Sequence, residues 1–250
     1  MSDLFQFLLR QGDNTLVLGH RTSQWCGIGP VLEEDIALTN TALDLIGQTQ
    51  MWLAYAAEVE DAGRTANDLA FLREAWDFRN LLLVEFPNRD FGHTLMRQYL
   101  FDAFQVPWLT ALSDSSNQRV AEIAAKSLKE AKYHLERSRD TVIALGDGTA
   151  ESNGRMQEAL DRLWPYVGEM FASDDVDRAM VADAVAPELA DLRDSWDREV
   201  ATTLKVAELK IPENNFAQLG GRDGKRHTEH LGHMLAEMQV LQRSYPGAVW

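Results

Sequence analysis

The sequence predicts an all-α fold, a bundle of long helices, and three observations carry that prediction. Apolar residues recur at helical spacing through most of the 250 residues. No stretch alternates with period two between hairpin turns. The helical runs are joined by short breaks, which favours neighbouring helices packed side by side.

The stretch around which the rest is organised is Lys129-Glu130-Ala131-Lys132-Tyr133-His134, inside a run from about Gln118 to Leu145. Val120, Ala124, Ser127, Leu128, Ala131, Leu135, Ser138 and Val142 mark one face of that run, so Ala131 and His134 turn inward. In bundles that hold two metal ions on carboxylates, a Glu and a His three residues apart on one helix both reach the core as ligands. Here the His stands, and a methyl group fills the Glu position.

Taken in order, residues 4 to 25 form one helix with an irregularity at Gly12-Asp13-Asn14. Pro30 sits in the first turn of the next helix, where its missing N–H costs nothing. That helix runs to about Glu60, with Leu32, Ile36, Leu43, Met51 and Ala54 on one face and Asp44 and Gln48 on a second inward stripe. Asn67 caps a short helix reaching Asn80, and Leu81 to Val84 is a buried run. Phe91 to Leu112 is helical again and carries Leu95, Tyr99, Asp102 and Val106, with a kink expected at Pro107. After Gly146-Asp147-Gly148 the pattern resumes from Ser152, and Pro187 opens a further helix with Leu189, Leu192, Trp196 and Leu204. A loop rich in Gly and Asn, from Ile211 to Arg226, leads into a last helix with Thr228 as its N-cap. No repeat, low-complexity segment or linker divides the chain, so a single domain over residues 1–250 is expected.

Composition narrows the function. The net charge of −15 argues against nucleic acid, whose phosphates demand clustered Lys and Arg. No run approaches the roughly twenty apolar residues that cross a bilayer. The first residues lack a basic segment and a cleavage pattern, and Cys26 is alone, so a cytoplasmic location is expected.

A working di-metal bundle needs four carboxylates and two imidazoles. This chain offers Asp102 and His134 for one half, and Gln48 with Leu45 three residues earlier for the other. Two protein ligands rarely hold a divalent ion against water. Asp102 therefore reads as a buried acid paired with His134 or with an Arg such as Arg97, and Glu130, beside Lys126 and Lys129, as a solvated ion-pair residue. A rival cluster, His227, Glu229, His230, His233 and Glu237, lies beside the stripe Leu231, Met234, Leu235, Met238 and Leu241, and reads as an interface rim before it reads as a metal site. Gly220-Gly221-Arg222-Asp223-Gly224-Lys225-Arg226 exposes backbone N–H groups before a helix, as phosphate cradles do, but lacks the P-loop pattern. It reads as a flexible partner-binding loop. The expected partner surface is Arg222, Lys225, Arg226, His230, Met234 and Met238, with Trp25, Tyr245 and Trp250 as further anchors.

Long strings of the chain resemble one family, the C subunits of bacterial phenylacetyl-CoA epoxidases. They are GDNTLVLGHR and WCG, then PVLEEDIALTNTALDLIGQ, NLLLVEFPNRDFGHTLMRQY, KEAKYHLERS, and HTEHLGHMLAEMQVLQR before the terminal Trp250. The resemblance runs nearly end to end. It implies a ferritin-like fold and a complex whose A subunit holds the di-iron site that epoxidises the aromatic ring. Aligned with the A-type pattern through Trp25 and Pro30, the ligand positions fall at Thr15, Leu45 with Gln48, Asp102, and Ala131 with His134. Only Asp102 and His134 keep a ligating type. The resemblance thus implies a metal-free, non-catalytic subunit that pairs with the di-iron A subunit and with other members of the complex, and it leaves self-association open. The alternatives are a self-sufficient metalloenzyme recruiting Asp35, Asp44 or Glu85 as replacement ligands, and a free-standing helical storage protein.

Overall fold

The helix Asp3–Ser23 (α1) is buried on nearly every side, and the other long helices are laid around it. A computed structural model describes residues 2–213 and 216–248, in which the chain forms α-helices and short 3-10 segments, with no strand among the described residues. The expected interface anchor Trp250 lies outside them. Ser2 caps α1 by accepting the Phe5 N–H. Residues 3–23 are one helix, as expected, and it runs without interruption through Gly12-Asp13-Asn14, where the polar groups find partners within the fold. Asp13 accepts from the Arg73 guanidinium and, at 2.8 Å, from the Arg79 N–H, and Asn14 Oδ1 accepts the Leu81 N–H at 2.7 Å. They pin the connection that crosses α1. Gly12 lets the next helix approach: a Cβ there would lie 2.5 Å from Leu53 Cδ2.

That second helix, Leu32–Glu60 (α2), begins after Val31 rather than at Pro30 and packs along α1. It buries Leu38, Ala42, Leu45, Trp52, Leu53 and Ala56. That corrects the face read from sequence, since Leu32, Ile36 and Leu43 point to solvent. The helix carries two apolar stripes, and periodicity alone cannot rank them; α1 covers the one that holds Trp52.

Two short helices follow, Ala66–Phe71 (α3) and Leu82–Glu85 (α4). The helix expected from Asn67 to Asn80 is thus two pieces, α3 and the 3-10 turn Ala75–Asp77. Thr65, not Asn67, caps α3 in a reciprocal box with Asp68.

Phe91–Leu112 (α5) and Gln118–Gly146 (α6) complete the bundle, capped by Asp90 and Asn117. The first of them continues as helix through Pro107, and Trp108 Nε1 donates to Gln11 Oε1 at 2.8 Å, tying it to α1. The inward stripe of α6 is Val120, Ile123, Ala124, Ser127, Ala131, His134, Ser138 and Val142.

Ala150–Leu163 (α7), Asp175–Ala182 (α8), Arg193–Val206 (α9) and Glu229–Ser244 (α10) flank the bundle. Pro187 precedes a 3-10 turn, Leu189–Leu192, rather than α9 itself. Most of the buried apolar side chains among the described residues join into one contiguous core. Among the described residues no helix is long and apolar enough to cross a membrane.

Candidate functional site

The positions where a di-metal bundle would carry ligands lie in the interior between α1, α2, α5 and α6, and hydrogen bonds and hydrocarbon occupy them. On α1, Thr15 Oγ1 stands 2.8 Å from Thr49 Oγ1. Leu45 and Ala131 are buried and bring only hydrocarbon. Gln48 Nε2 donates to Glu130 Oε2 at 2.9 Å, so Glu130 leans into the α2–α6 seam rather than standing as a solvated ion-pair residue.

Asp102 and His134 are not hydrogen-bonded to each other. His134 Nε2 lies 3.0 Å from Asp44 Oδ2. Asp102 accepts from Gln98 Nε2 on one oxygen and Ser138 Oγ on the other, both at 2.8 Å. Arg97, the other suggested partner, donates to Phe86 O and to Asn88 Oδ1, and its burial lowers its pKa to about 9. The expected pair is thus replaced by two separate pairs, because Ser138 lies one helical turn beyond His134 and reaches Asp102 first. Asp102 is only 2 % exposed. Desolvation raises its carboxyl to about 6, against the opposing pull of the His134 charge and the two hydrogen bonds.

This donor set does not fit a di-iron centre. Thr15 and Gln48 are neutral and already bonded to protein, Leu45 and Ala131 have no donor, and both Asp102 oxygens are taken. Among the described residues, no group of three or more His, Cys, Asp or Glu is placed to hold a metal ion. The replacement ligands considered from sequence serve separate tasks. Asp35 accepts the N–H groups of Gly27 and Gly29, which lower its pKa. Asp44 faces His134. Glu85 is buried near α10, where it holds His227 Nδ1 and the Thr228 N–H, both at 2.6 Å.

The Gly-rich loop is a backbone anion cradle, but its anion is internal. Glu169 Oε1 accepts the N–H groups of Gly220 at 2.9 Å, Gly221 at 2.7 Å and Arg222 at 3.3 Å, while Oε2 accepts that of Leu82 at 2.8 Å. Burial raises the pKa of Glu169, and the four donors oppose that rise. Arg222 is buried as well: it donates to Asp177 at 2.6 Å, and Arg10 bridges Asp177 and Asp174 from α1. The expectation of an accessible basic loop therefore fails at Arg222, whereas Lys225 pairs with Asp223 and Arg226 with Gln218 at the surface.

The last helix is covered in the same way. Leu231, Met234 and Leu235 are buried in the chain's own core and Met238 packs against it, so these side chains are not a free face. His230 is half-buried and desolvation lowers its pKa; His233 and Glu237 are exposed. Sequence reasoning missed Glu169. Its only signal was an acid inside an otherwise apolar stretch, Trp164 to Phe171.

Comparison with known proteins places the chain in a family. A family model described as "Phenylacetic acid catabolic protein" matches residues 1–250. The C subunit of the 1,2-phenylacetyl-CoA epoxidase of Escherichia coli (strain K12) is 45 % identical over 250 residues, which is 100 % of this chain and 100 % of that protein. A match of that length covers the whole chain, and this chain belongs to the phenylacetic acid catabolic protein family.

Proposed function

We propose that this chain is a non-catalytic, structural subunit of a multicomponent 1,2-phenylacetyl-CoA epoxidase, acting in aerobic phenylacetate catabolism in the cytoplasm. On this reading it holds no di-iron centre of its own and pairs with the di-iron catalytic subunit. One observation carries the reading: every would-be ligand position is either hydrocarbon, as at Leu45 and Ala131, or a polar group bonded to another protein group, as at Thr15, Gln48 through its Nε2, Asp102 and His134. The full-length likeness to the C subunit of an epoxidase supports the same assignment. What such a chain contributes is shape. A bundle whose interior is closed by packing and by hydrogen bonds between its own side chains keeps its helices in fixed register without metal, and a rigid neighbour preorganises a partner's site.

The test is anaerobic loading of the purified chain with ferrous iron, gel filtration and elemental analysis. Less than about 0.1 iron per chain is expected, on the order of adventitious binding. About two irons per chain that survive the column, or turnover of phenylacetyl-CoA with only a reductase added, would overturn the reading.

A further inference from the structure

Gln105 stands on α5, only 6 % exposed, and no group among the described residues bonds its amide. An amide taken out of water without a hydrogen bond costs more than a hydrocarbon of the same size. The side chain borders a crevice of about 20 Å3 between α1, α5 and the Gly-rich loop, whose other polar walls are Arg10, Gln11, Asn14, Trp108 and Arg222. Helical spacing builds those walls. Gln105 and Trp108 are three residues apart on α5, Gln11 and Asn14 three apart on α1, and each pair faces the same seam. Apolar side chains close the rest.

Most of the polar groups in that wall are already engaged. Trp108 Nε1 donates to Gln11 Oε1 at 2.8 Å, and Asn14 Oδ1 accepts the Leu81 N–H at 2.7 Å. Arg10 donates through Nε to Arg222 O at 3.1 Å and through both terminal nitrogens to Asp174. Arg222 donates to Ala172 O and to Asp177. What is left for a ligand is the whole Gln105 amide, an acceptor and a donor, and Asn14 Nδ2, a donor.

Size and charge then choose the ligand. A water molecule needs about 10–15 Å3 of such space, so the crevice takes one and excludes organic molecules. The two guanidiniums are matched by the carboxylates of Asp174 and Asp177, which leaves no net charge to draw an ion. A halide would use only the donors and a monatomic cation only the acceptor, whereas water uses both. We propose that this crevice is the binding site of a single ordered water molecule, held by the Gln105 amide and Asn14 Nδ2, which joins α5 to α1 beneath the loop that cradles Glu169. The water completes the hydrogen bonds of a side chain that the protein alone leaves open, and Gln105 is its holder. This inference stands apart from the subunit reading and needs no partner chain.

The test is a crystal structure of the full chain at a resolution that shows ordered solvent, from chloride-free crystals and from crystals soaked in sodium bromide. Both are expected to show one peak in the crevice, about 2.7–3.2 Å from an amide atom of Gln105, with no anomalous bromine signal there. Gln105→Leu, which keeps the approximate volume and removes the amide, is expected to lose the peak while the Trp108–Gln11 and Asn14–Leu81 bonds remain. A crevice without density in the parent crystals overturns the site. An anomalous bromine peak shows the ligand to be an anion and overturns the choice of water. A peak that persists in Gln105→Leu overturns Gln105 as its holder. The parent crystals decide occupancy whether or not the variant folds.

Discussion

Asp102→Asn separates charge from packing at the centre of the bundle. Asp102 is buried between Gln98 and Ser138, and its carboxyl is raised to about 6 from an ordinary value of 3.8, chiefly by desolvation. A carboxyl whose folded pKa lies above its unfolded value holds its proton more tightly in the native state. The native state is then favoured while the group is protonated, and that advantage is lost as pH rises from about 4 through about 6. Two units at about 1.36 kcal/mol each make the loss about 3 kcal/mol, an upper figure for a site that can relax. Asparagine cannot ionise and so escapes this loss, although its amide nitrogen must face one of the two donors or turn to the Ser138 oxygen. That rearrangement adds an offset independent of pH. Urea unfolding of both proteins between about pH 4 and pH 7.5 distinguishes the two effects. Asp102→Asn should gain on the parent by up to about 3 kcal/mol across that range, with most of the change between about pH 4 and 6. A stability difference that stays constant with pH would show that Asp102 titrates as a solvated acid and would refute the assignment of desolvation as the dominant influence.

Other consequences follow from the same geometry. Glu169→Ala leaves four backbone N–H groups without their carboxylate, so tryptic cleavage after Arg222, Lys225 and Arg226 should accelerate at least tenfold, read by the appearance of the fragments, and chemical unfolding should show about 2–4 kcal/mol of lost stability. Gly146→Ala sets a Cβ 2.3 Å from Ala207 O, a backbone atom that cannot rotate away. It should cost about 1–3 kcal/mol by urea unfolding, and an unchanged midpoint would show that α6 and the end of α9 separate freely.

The helical stripe of α6 could be read from the sequence because one face is apolar and the other charged, leaving a single orientation that buries Ala131 and His134. The orientation of α2 could not. Leu32, Ile36 and Leu43 satisfy a helical period as well as Leu38, Leu45 and Trp52 do, and the choice belongs to α1, a helix whose sequence gives no direction because it is buried on nearly every side. Loop 220–226 shows a different limit. Its glycines expose backbone N–H groups, yet the sequence reads as a flexible partner-binding loop; those N–H groups hold a carboxylate 51 residues before Gly220, and local composition does not say whether a cradle is filled from within. Pairing within the core failed for a third reason. Asp102 and His134 are the two conspicuous groups, yet Ser138 and Asp44, ordinary in sequence, stand closer in space.

These separate pairs tie the helices of the bundle to one another through protein groups. An acid and an imidazole left facing each other in a closed core form one buried ion pair, which is costly to desolvate and sensitive to the loss of either partner. Here His134 is matched with an acid that is about a third exposed, since Asp44 keeps 35 % of its side-chain surface in water, while the deeply buried Asp102 is given neutral donors. The exposed acid keeps part of its hydration, so the pair costs less than a fully enclosed one. The enclosed acid can take up a proton near pH 6 instead of bearing a charge. Both groups thus avoid an unpaired charge in the interior, and His134–Asp44 joins Gln48–Glu130 and Arg137–Glu34 in tying α2 to α6, while Ser138–Asp102 ties α5 to α6. With the interior settled on those terms, the second apolar stripe of α2, Leu32, Ile36, Leu43 and Ile46, is carried on the outside of the chain.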